Sequence, residues 1–315
     1  MSRHGDKIRK AALSLDAAAS SALAASWSRS LVMHGLDPDA TPKAERLDAT
    51  AWREARERLG RLSAVARPAM DRLFAAVCES GCSVVLTNAS GVIIERRGKP
   101  ADDATFKQWG LWTGVDWSEA REGTNGIGTC IVERRPVTIH RDQHFYASNA
   151  AMICMGAPVF DHEGELAGVL DISSCRADLA DAFVGLLADA VADAARRIEA
   201  ENFQLAFAKS RIVVAGDSAG GPTLLALDPD DLVIGATRRA RKAFGLSPQS
   251  FVHPLPARDI LGASETTGEL DGAERSAIRR ALAHAGGRAA QAARDLGISR
   301  ATLYRRMARL GLRRR

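Results

Sequence analysis

A chain of 315 residues, 46% hydrophobic and 26% charged, has room for two domains and the composition of an ordinary globular protein. It opens on charged and polar residues and holds no apolar run near the roughly 20 residues of a membrane span, so the expectation is a cytoplasmic protein with no signal peptide and no membrane partner. The net charge of +5 is unevenly placed: residues 268–315 carry twelve arginines and no lysine against four acids, a net of +8, while the remaining 31 basic and 34 acidic residues sum to −3. A positive excess confined to one end predicts a polyanionic partner, though charge alone does not say which.

In chain order, residues 1–46 read as a helical lead-in. From Leu47 to Ser80 the pattern predicts a long helix, interrupted or kinked near Pro68. Cys82–Thr87 and Val92–Arg96 are strand-like runs joined by Asn88-Ala89-Ser90-Gly91, a hairpin-turn composition. A helical piece carrying Phe106, Trp109 and Trp112 follows, then a glycine-rich stretch, Glu122–Thr129, and a strand at Val137–His140. Met152–Phe160 and Leu166–Ser173 form a second hairpin around Asp161-His162-Glu163-Gly164, and an amphipathic helix runs from Leu179 to Phe207. Helix, antiparallel sheet, helix is an α+β arrangement with one central sheet flanked by long helices.

The chemistry-bearing residues of this region are few. Cys78, Cys82, Cys130, Cys154 and Cys175 form no CxxC pair and no disulfide framework, and read as reduced thiols packed as small hydrophobes. Asn125-Gly126-Ile127-Gly128 lacks the lysine of a phosphate loop and the full dinucleotide fingerprint, so it reads as a turn that lets a loop pack over the sheet. Trp109, Trp112, Trp117, Phe145 and Tyr146 fall in the loops that would cover one sheet face. Trp109, Trp112, Thr124, Asn125, Ile127, Phe145 and Tyr146 are the candidates for contacting a small-molecule effector, with ordinary core as the equal alternative for the aromatic residues. His140, Asp142 and His144 lie close together, but without a second ligand cluster they predict a solvated loop, and no metal, catalytic residue or cofactor is expected.

EGTNGIGTCIVERRPVTIH (Glu122–His140) and GAPVFDHEGELAGVLDIS (Gly156–Ser173) resemble a GAF domain of the type in regulators of acetoin and glycerol metabolism. Ser26-Trp27 with His34-Gly35-Leu36-Asp37-Pro38 resembles the lead-in of the same family. The resemblance implies that residues 47–207 form a module sensing a small metabolite or a partner protein.

Residues 208–267 read as a linker holding a short PAS-like segment. LLALDPDDLVIGATRRARKAFGL predicts a strand, an Asp-Pro-Asp-Asp turn, a second strand and a helix, a connector suited to packing on a partner chain. Gly216–Pro222 and Ser247–Ser264, rich in Gly, Pro and Ser, read as flexible flanks.

Residues 268–315 predict three helices. The first, Asp271–Ala285, ends at Gly286-Gly287; the second, Arg288–Leu296, is built on Ala289, Ala292, Ala293 and Leu296. Gly297 turns the chain, Ile298 plugs the core, and Ser299 caps a third helix burying Leu303, Met307 and Leu310. That spacing is a helix-turn-helix, with Arg288, Ser299, Arg300, Thr302, Tyr304, Arg305, Arg306 and Arg309 as its candidates for binding double-stranded DNA. GGRAAQAARDLGISRATLYRRMARLGL (Gly286–Leu312) resembles the Fis-type DNA-binding domain of bacterial enhancer-binding activators. The resemblance implies that the first helix helps to form a homodimer.

Many relatives of both kinds carry an ATPase between sensor and tail. No GxxxxGK[ST] occurs here, and the roughly 60 intervening residues are too few for an α/β core. The expectation is a transcriptional regulator that is not an enzyme and acts by occupying DNA, contacting RNA polymerase or modulating a full-length relative, with ligand-biased dimer geometry as its control. Two alternatives stay open. One is a GAF-type thiol-dependent redox enzyme using Cys130 and Cys154, neither marked as activated. The other is an architectural DNA-binding protein that senses nothing.

Overall fold

Serine hydroxyls start the first three helices. Ser2, Ser14 and Ser21 each accept a hydrogen bond from the backbone N–H three residues on, which begins α1 (Arg3–Ala12), α2 (Leu15–Ser20) and α3 (Ala22–Ser28). The computed structural model describes residues 2–42, 44–176, 179–218, 221–261 and 269–312, and the chain divides into two compact units, Met1–Ile260 and Leu261–Arg315.

The helix expected from Leu47 to Ser80 is two helices, α4 (Ala49–Leu59), capped by Asp48, and α5 (Arg61–Val77). The break lies at Gly60, with φ 53° and ψ −129°, a conformation that side chains other than glycine resist. Pro68, where the kink was expected, sits inside α5 without ending it. The apolar face of α5 runs from Leu62 to Val77 against the sheet, and that packing outweighs one missing backbone bond.

Strands β1 (Cys82–Thr87) and β2 (Ile93–Arg97) form the first hairpin, where the Asn88 side chain accepts from the N–H groups of Ser90 and Val92. Three short helices follow, α6 (Asp103–Gln108), α7 (Glu119–Glu122) and α8 (Gly126–Glu133), then β3 (Val137–His140), β4 (Ile153–Phe160), β5 (Leu166–Ser174) and the long α9 (Asp181–Ala206). Trp109 caps α6 and Trp112 lies beyond it, because Gly110 turns the chain at φ 71°. The strands make one antiparallel sheet in the order β2-β1-β5-β4-β3.

Both sheet faces are covered. Val84, Leu86, Met155 and Ile172 point at α5 and α9, meeting Met70, Leu73, Val191 and Ile198. Val85, Ile93, Cys154 and Val169 point the other way, toward Phe106, Leu111, Trp117 and Ile127. Two-sided burial is why β1 and β4 read as nearly continuous apolar runs.

Beyond α9 the chain departs from the expected linker. Arg211–Ser218 forms a strand, β6, that pairs with β7 (Gly221–Leu227), and β8 (Val233–Ala236) completes a three-stranded antiparallel sheet. Residues 219–220 lie outside the described residues. Helix α10 (Arg238–Phe244) is the helix expected after the second strand, whereas α11 (Gln249–Val252) and α12 (Ala257–Leu261) lie within the stretch read as a flexible flank; residues 262–268 lie outside the described residues. This layer packs on its own chain: Phe203 and Phe207 of the α9 end meet Leu224 and Ala226, and a side chain at Gly235 would collide with Phe207. The second unit holds three helices, α13 (Glu269–His284), α14 (Ala289–Asp295) and α15 (Arg300–Arg309).

Burial raises several carboxyls of the first unit, and two of them lie on or against the sheet. Burial pushes Asp171 up to about 7 against the opposing Ser173 hydrogen bond, and pushes Glu199 up to about 7 although the Phe160 N–H donates to it. Both bind a proton more tightly folded than unfolded, so the stability they contribute is complete below about pH 4 and lost as pH rises through about 7. Raising pH from about 5 to about 8 should lower the melting temperature, and Asp171→Asn should flatten that slope; an unchanged slope would remove Asp171 from the account. Ile172→Ala, which opens the core at the central strand, should cost about 2–5 kcal/mol in urea unfolding.

Candidate sensor and DNA-binding surfaces

Within the second unit, the helix-turn-helix is built from small residues and glycines. Ala292 and Ala293 of α14 are fully buried against Ile278, Leu303 and Met307, so the helices approach closely. Gly297, at φ 65°, makes the turn, and the Ile298 N–H closes it on the Ala293 carbonyl at 3.0 Å. Ser299 caps α15 by accepting from the Thr302 N–H at 3.1 Å, and its hydroxyl lies 2.8 Å from that of Thr302.

The predicted contact residues separate into groups. Ser299, Arg300 and Arg305 are exposed, and the Arg300 guanidinium lies 5.6 Å from the Tyr304 ring. Thr302 and Tyr304 are half-buried, with Tyr304 packed on the helical core. Arg288 is exposed and turns its Nε back to the Ala285 carbonyl. Arg306 and Arg309, at the C-terminal end of α15, pair with acids of α13: Arg306 reaches Glu274 at 2.9 Å, and Arg309 reaches both Glu274 and Asp271. Their cations therefore offset local carboxylates and the helix dipole before they meet a ligand. Arg294, which the motif spacing does not single out, is exposed at the end of α14.

In the sensing unit, most of the candidate effector residues are structural. Asn125 is fully buried and caps α8: its Oδ1 accepts from the Ile127 and Gly128 N–H groups at 2.8 Å, and its Nδ2 donates to the Trp117 and Gly123 carbonyls. The glycines expected to form a turn instead begin α8, and they let it lie close to the sheet: a side chain at Gly126 would strike Cys154 and one at Gly128 the backbone of Glu119. Ile127 lies in the core. Trp109 and Trp112 pack on it half-buried, with Trp112 between the cations of Arg96 and Lys107. Phe145 and Tyr146 stack on Ile8 and Trp27 of the lead-in. Tyr146 also lines a cleft between the lead-in and α7.

A polar lock holds the lead-in in place. The buried Ser26 hydroxyl donates to Glu119 at 2.5 Å and lies 2.7 Å from the Thr124 hydroxyl; Arg29 pairs with Glu119 at 2.9 Å and Glu133 at 3.2 Å. Residue types spread over a hundred positions gave no local signal for this cluster.

His144 is not in a solvated loop. It is fully buried, with Nδ1 3.0 Å from the Arg141 carbonyl and Nε2 3.3 Å from the Cys154 sulfur, and burial lowers it to about 4, keeping it neutral. Its neighbours, the aromatic lead-in contacts, close the loop over it. Among the described residues no three His, Cys, Asp or Glu side chains converge as a metal site would need. Burial pushes the Cys130 and Cys154 thiols far above their ordinary range, and Cys82 up to about 11. No helix among the described residues is long and apolar enough to cross a membrane.

Known proteins match the chain in two separate stretches. Residues 3–199 match the family model "MimR, N-terminal domain", and residues 270–310 match "Bacterial regulatory protein, Fis family". The acetoin catabolism regulatory protein of Cupriavidus necator is 33% identical over 75% of this chain and 36% of its own length. The propane 2-monooxygenase operon transcriptional activator MimR of Mycolicibacterium smegmatis is 31% identical over 56% of this chain and 29% of its own. The chain thus spans about a third of the length of these relatives. The N-terminal region of E. coli DhaR, solved in complex with DhaL, shares the fold at a TM-score of 0.53 and 14% identity, covering 82% of this chain and 85% of that one. About 70 residues separate the two matched regions, and most of them form the three-stranded layer, so no ATPase domain fits between them. The chain belongs to the MimR N-terminal domain family and carries a Fis-family helix-turn-helix behind its GAF-like sensor.

Proposed function

We propose that this chain is a DNA-binding transcriptional regulator whose GAF-like unit responds to a small metabolite or partner protein and controls the helix-turn-helix, without ATPase-driven remodelling of RNA polymerase. The observation that carries this reading is α15 itself, which buries Leu303 and Met307, with Leu310 just beyond it, while Arg300 in its serine-capped first turn and Arg305 at its middle stay exposed. A helix so capped suits the major groove: Arg300, Thr302 and Arg305 would meet base edges and phosphates, and Ser299 and Arg288 would meet the backbone beside them. Tyr304 positions Arg300. Arg306 and Arg309 reach phosphate only by giving up Glu274 and Asp271, so their share is smaller.

Such motifs read two half-sites as dimers. Helix α13 and the α5–α9 pair are the candidate dimer surface; the groove between α5 and α9 is lined by Ala69, Leu73, Ala76, Ala190 and Ala194 with Arg72, Asp193 and Arg197. An effector shifts DNA affinity only through different affinities for two dimer arrangements. A partner protein as the input gains support from the DhaR fold having been solved with DhaL. RNA polymerase or a full-length relative is the downstream target. The redox reading loses ground because neither Cys130 nor Cys154 is exposed or activated.

Fluorescence anisotropy on the protein's own upstream DNA and on scrambled DNA, at several salt concentrations, tests this. Binding should prefer the upstream DNA, fall steeply with salt and vanish when residues 268–315 are removed; equal binding to both would leave the architectural reading. Arg305→Ala should cost about 1–3 kcal/mol and relax sequence preference, whereas Arg309→Ala should cost less and leave preference intact. If Arg309→Ala proves the costlier, the assignment of the two ends of α15 is reversed.

A further inference from the structure

The cleft beside Tyr146 has the features that the sequence-derived aromatic set lacks. It encloses 380 Å³, within the size range of small-ligand sites, and its walls come from the lead-in loop (Leu36, Pro42, Leu47) and from α7 (Ala120, Glu122). The apolar side chains and the Tyr146 ring make most of its surface. Glu122 is 6% exposed, and the hydrogen bond to its carboxyl runs from the Asn149 Nδ2 to Oε2 at a long 3.4 Å, leaving Oε1 with none. A carboxyl so deeply placed ordinarily takes several donors.

Among the described residues no other lining side chain donates to it: Arg46, which also lines the cleft, packs its side chain beside Gly114. Arg121 turns outward to Glu45 at 3.6 Å, and the Asp116 carboxylate accepts from the Ser118 N–H. The Tyr146 hydroxyl is also committed, donating to the Arg121 carbonyl at 3.3 Å. Burial pushes Glu122 up to about 7; the Asn149 bond opposes the shift and the Asp116 charge adds to it. A buried carboxyl with one long hydrogen bond, in a cleft lined by Leu36, Pro42, Leu47 and Ala120 as well as by Glu45, Arg46, Asp116 and Arg121, is a partner for one donor group.

We infer that this cleft is the effector site of the sensor, taking a small molecule with a short apolar body and one hydrogen-bond-donating head that pairs with Glu122. The inference rests on the regulatory reading and locates its input. Because the walls belong to both the lead-in loop and α7, an occupant ties the two together. That couples binding to the seat of the lead-in, which Ser26 and Arg29 already fix on Glu119, three residues from Glu122.

The test is ligand-detected NMR on the full chain with butan-1-ol, butane-2,3-diol and butylamine as probes, up to about 10 mM. At least one probe should bind saturably. Ala120→Trp, which fills the cleft from an exposed position, and Glu122→Leu should each weaken that binding about tenfold or more. Glu122→Gln should spare a neutral alcohol and abolish an amine, which separates the two kinds of head group. Saturable binding unmoved by both Ala120→Trp and Glu122→Leu, or no saturable binding by any probe, overturns the assignment. Melting temperature and upstream-DNA binding are recorded for every variant. Intact DNA binding with failed probes sinks the cleft alone, whereas lost DNA binding with bound probes sinks the regulatory reading.

Discussion

Burial of the five-stranded sheet on both faces is the constraint from which the first unit follows. A sheet with one wet face could have left the glycine-rich segment in solvent. Here the face away from α5 and α9 must also be covered, and α8 does so at contact distance, with Gly126 against β4 and Gly128 against the preceding turn. That closeness puts Asn125 in the interior, where four hydrogen bonds satisfy it, and strands Asp171 Oδ1 without a partner. Residues that look like ligand contacts in the sequence are consumed in holding the sheet's second cover.

The lead-in is a second consequence. Once α7 and α8 lie on the sheet, Glu119, Thr124 and Thr129 face outward as a polar strip that needs donors. Ser26 and Arg29 supply them, and Ile8 and Trp27 cap Phe145 and Tyr146 alongside. The lead-in is thus part of the sensor's core, and any molecule that changes its seat acts on the same elements that order the sheet face. The thiols show the opposite consequence of the same packing: sealed from water, Cys130 and Cys154 are small apolar side chains and little else.

Charge is divided differently in the second unit. Its arginines are numerous, but the acids of α13 take up Arg306 and Arg309 of α15, which leaves Arg300 and Arg305 as the cations of that helix not held by α13. Exposed ion pairs of this kind add little stability, typically below about 1 kcal/mol, and their main effect is on where cations remain available.

Local signals in the chain were enough for the elements and for the DNA-binding tail. Hairpin turns, helix periodicity, Gly297, Ser299 and the arginine excess act within a few residues, so the two hairpins of the sheet and the helix-turn-helix were legible without a structure, whereas the strand order was not. Three further things were not. The break at Gly60 rather than Pro68 depended on which face of α5 the sheet rewards. Strand β6 was hidden because Arg211–Ser218 is a short edge run with Val214 exposed, and its pairing with β7 is what makes it a strand. The roles of Asn125, His144 and Glu122 depended on neighbours brought in from distant positions: Trp117, Cys154 and Asn149. Periodicity and motif spacing report what a residue does along its own element. Whether a polar side chain ends as a cap, a sealed core group or a lone carboxyl in a cleft is set by what packs across from it, and only the tertiary structure decides that.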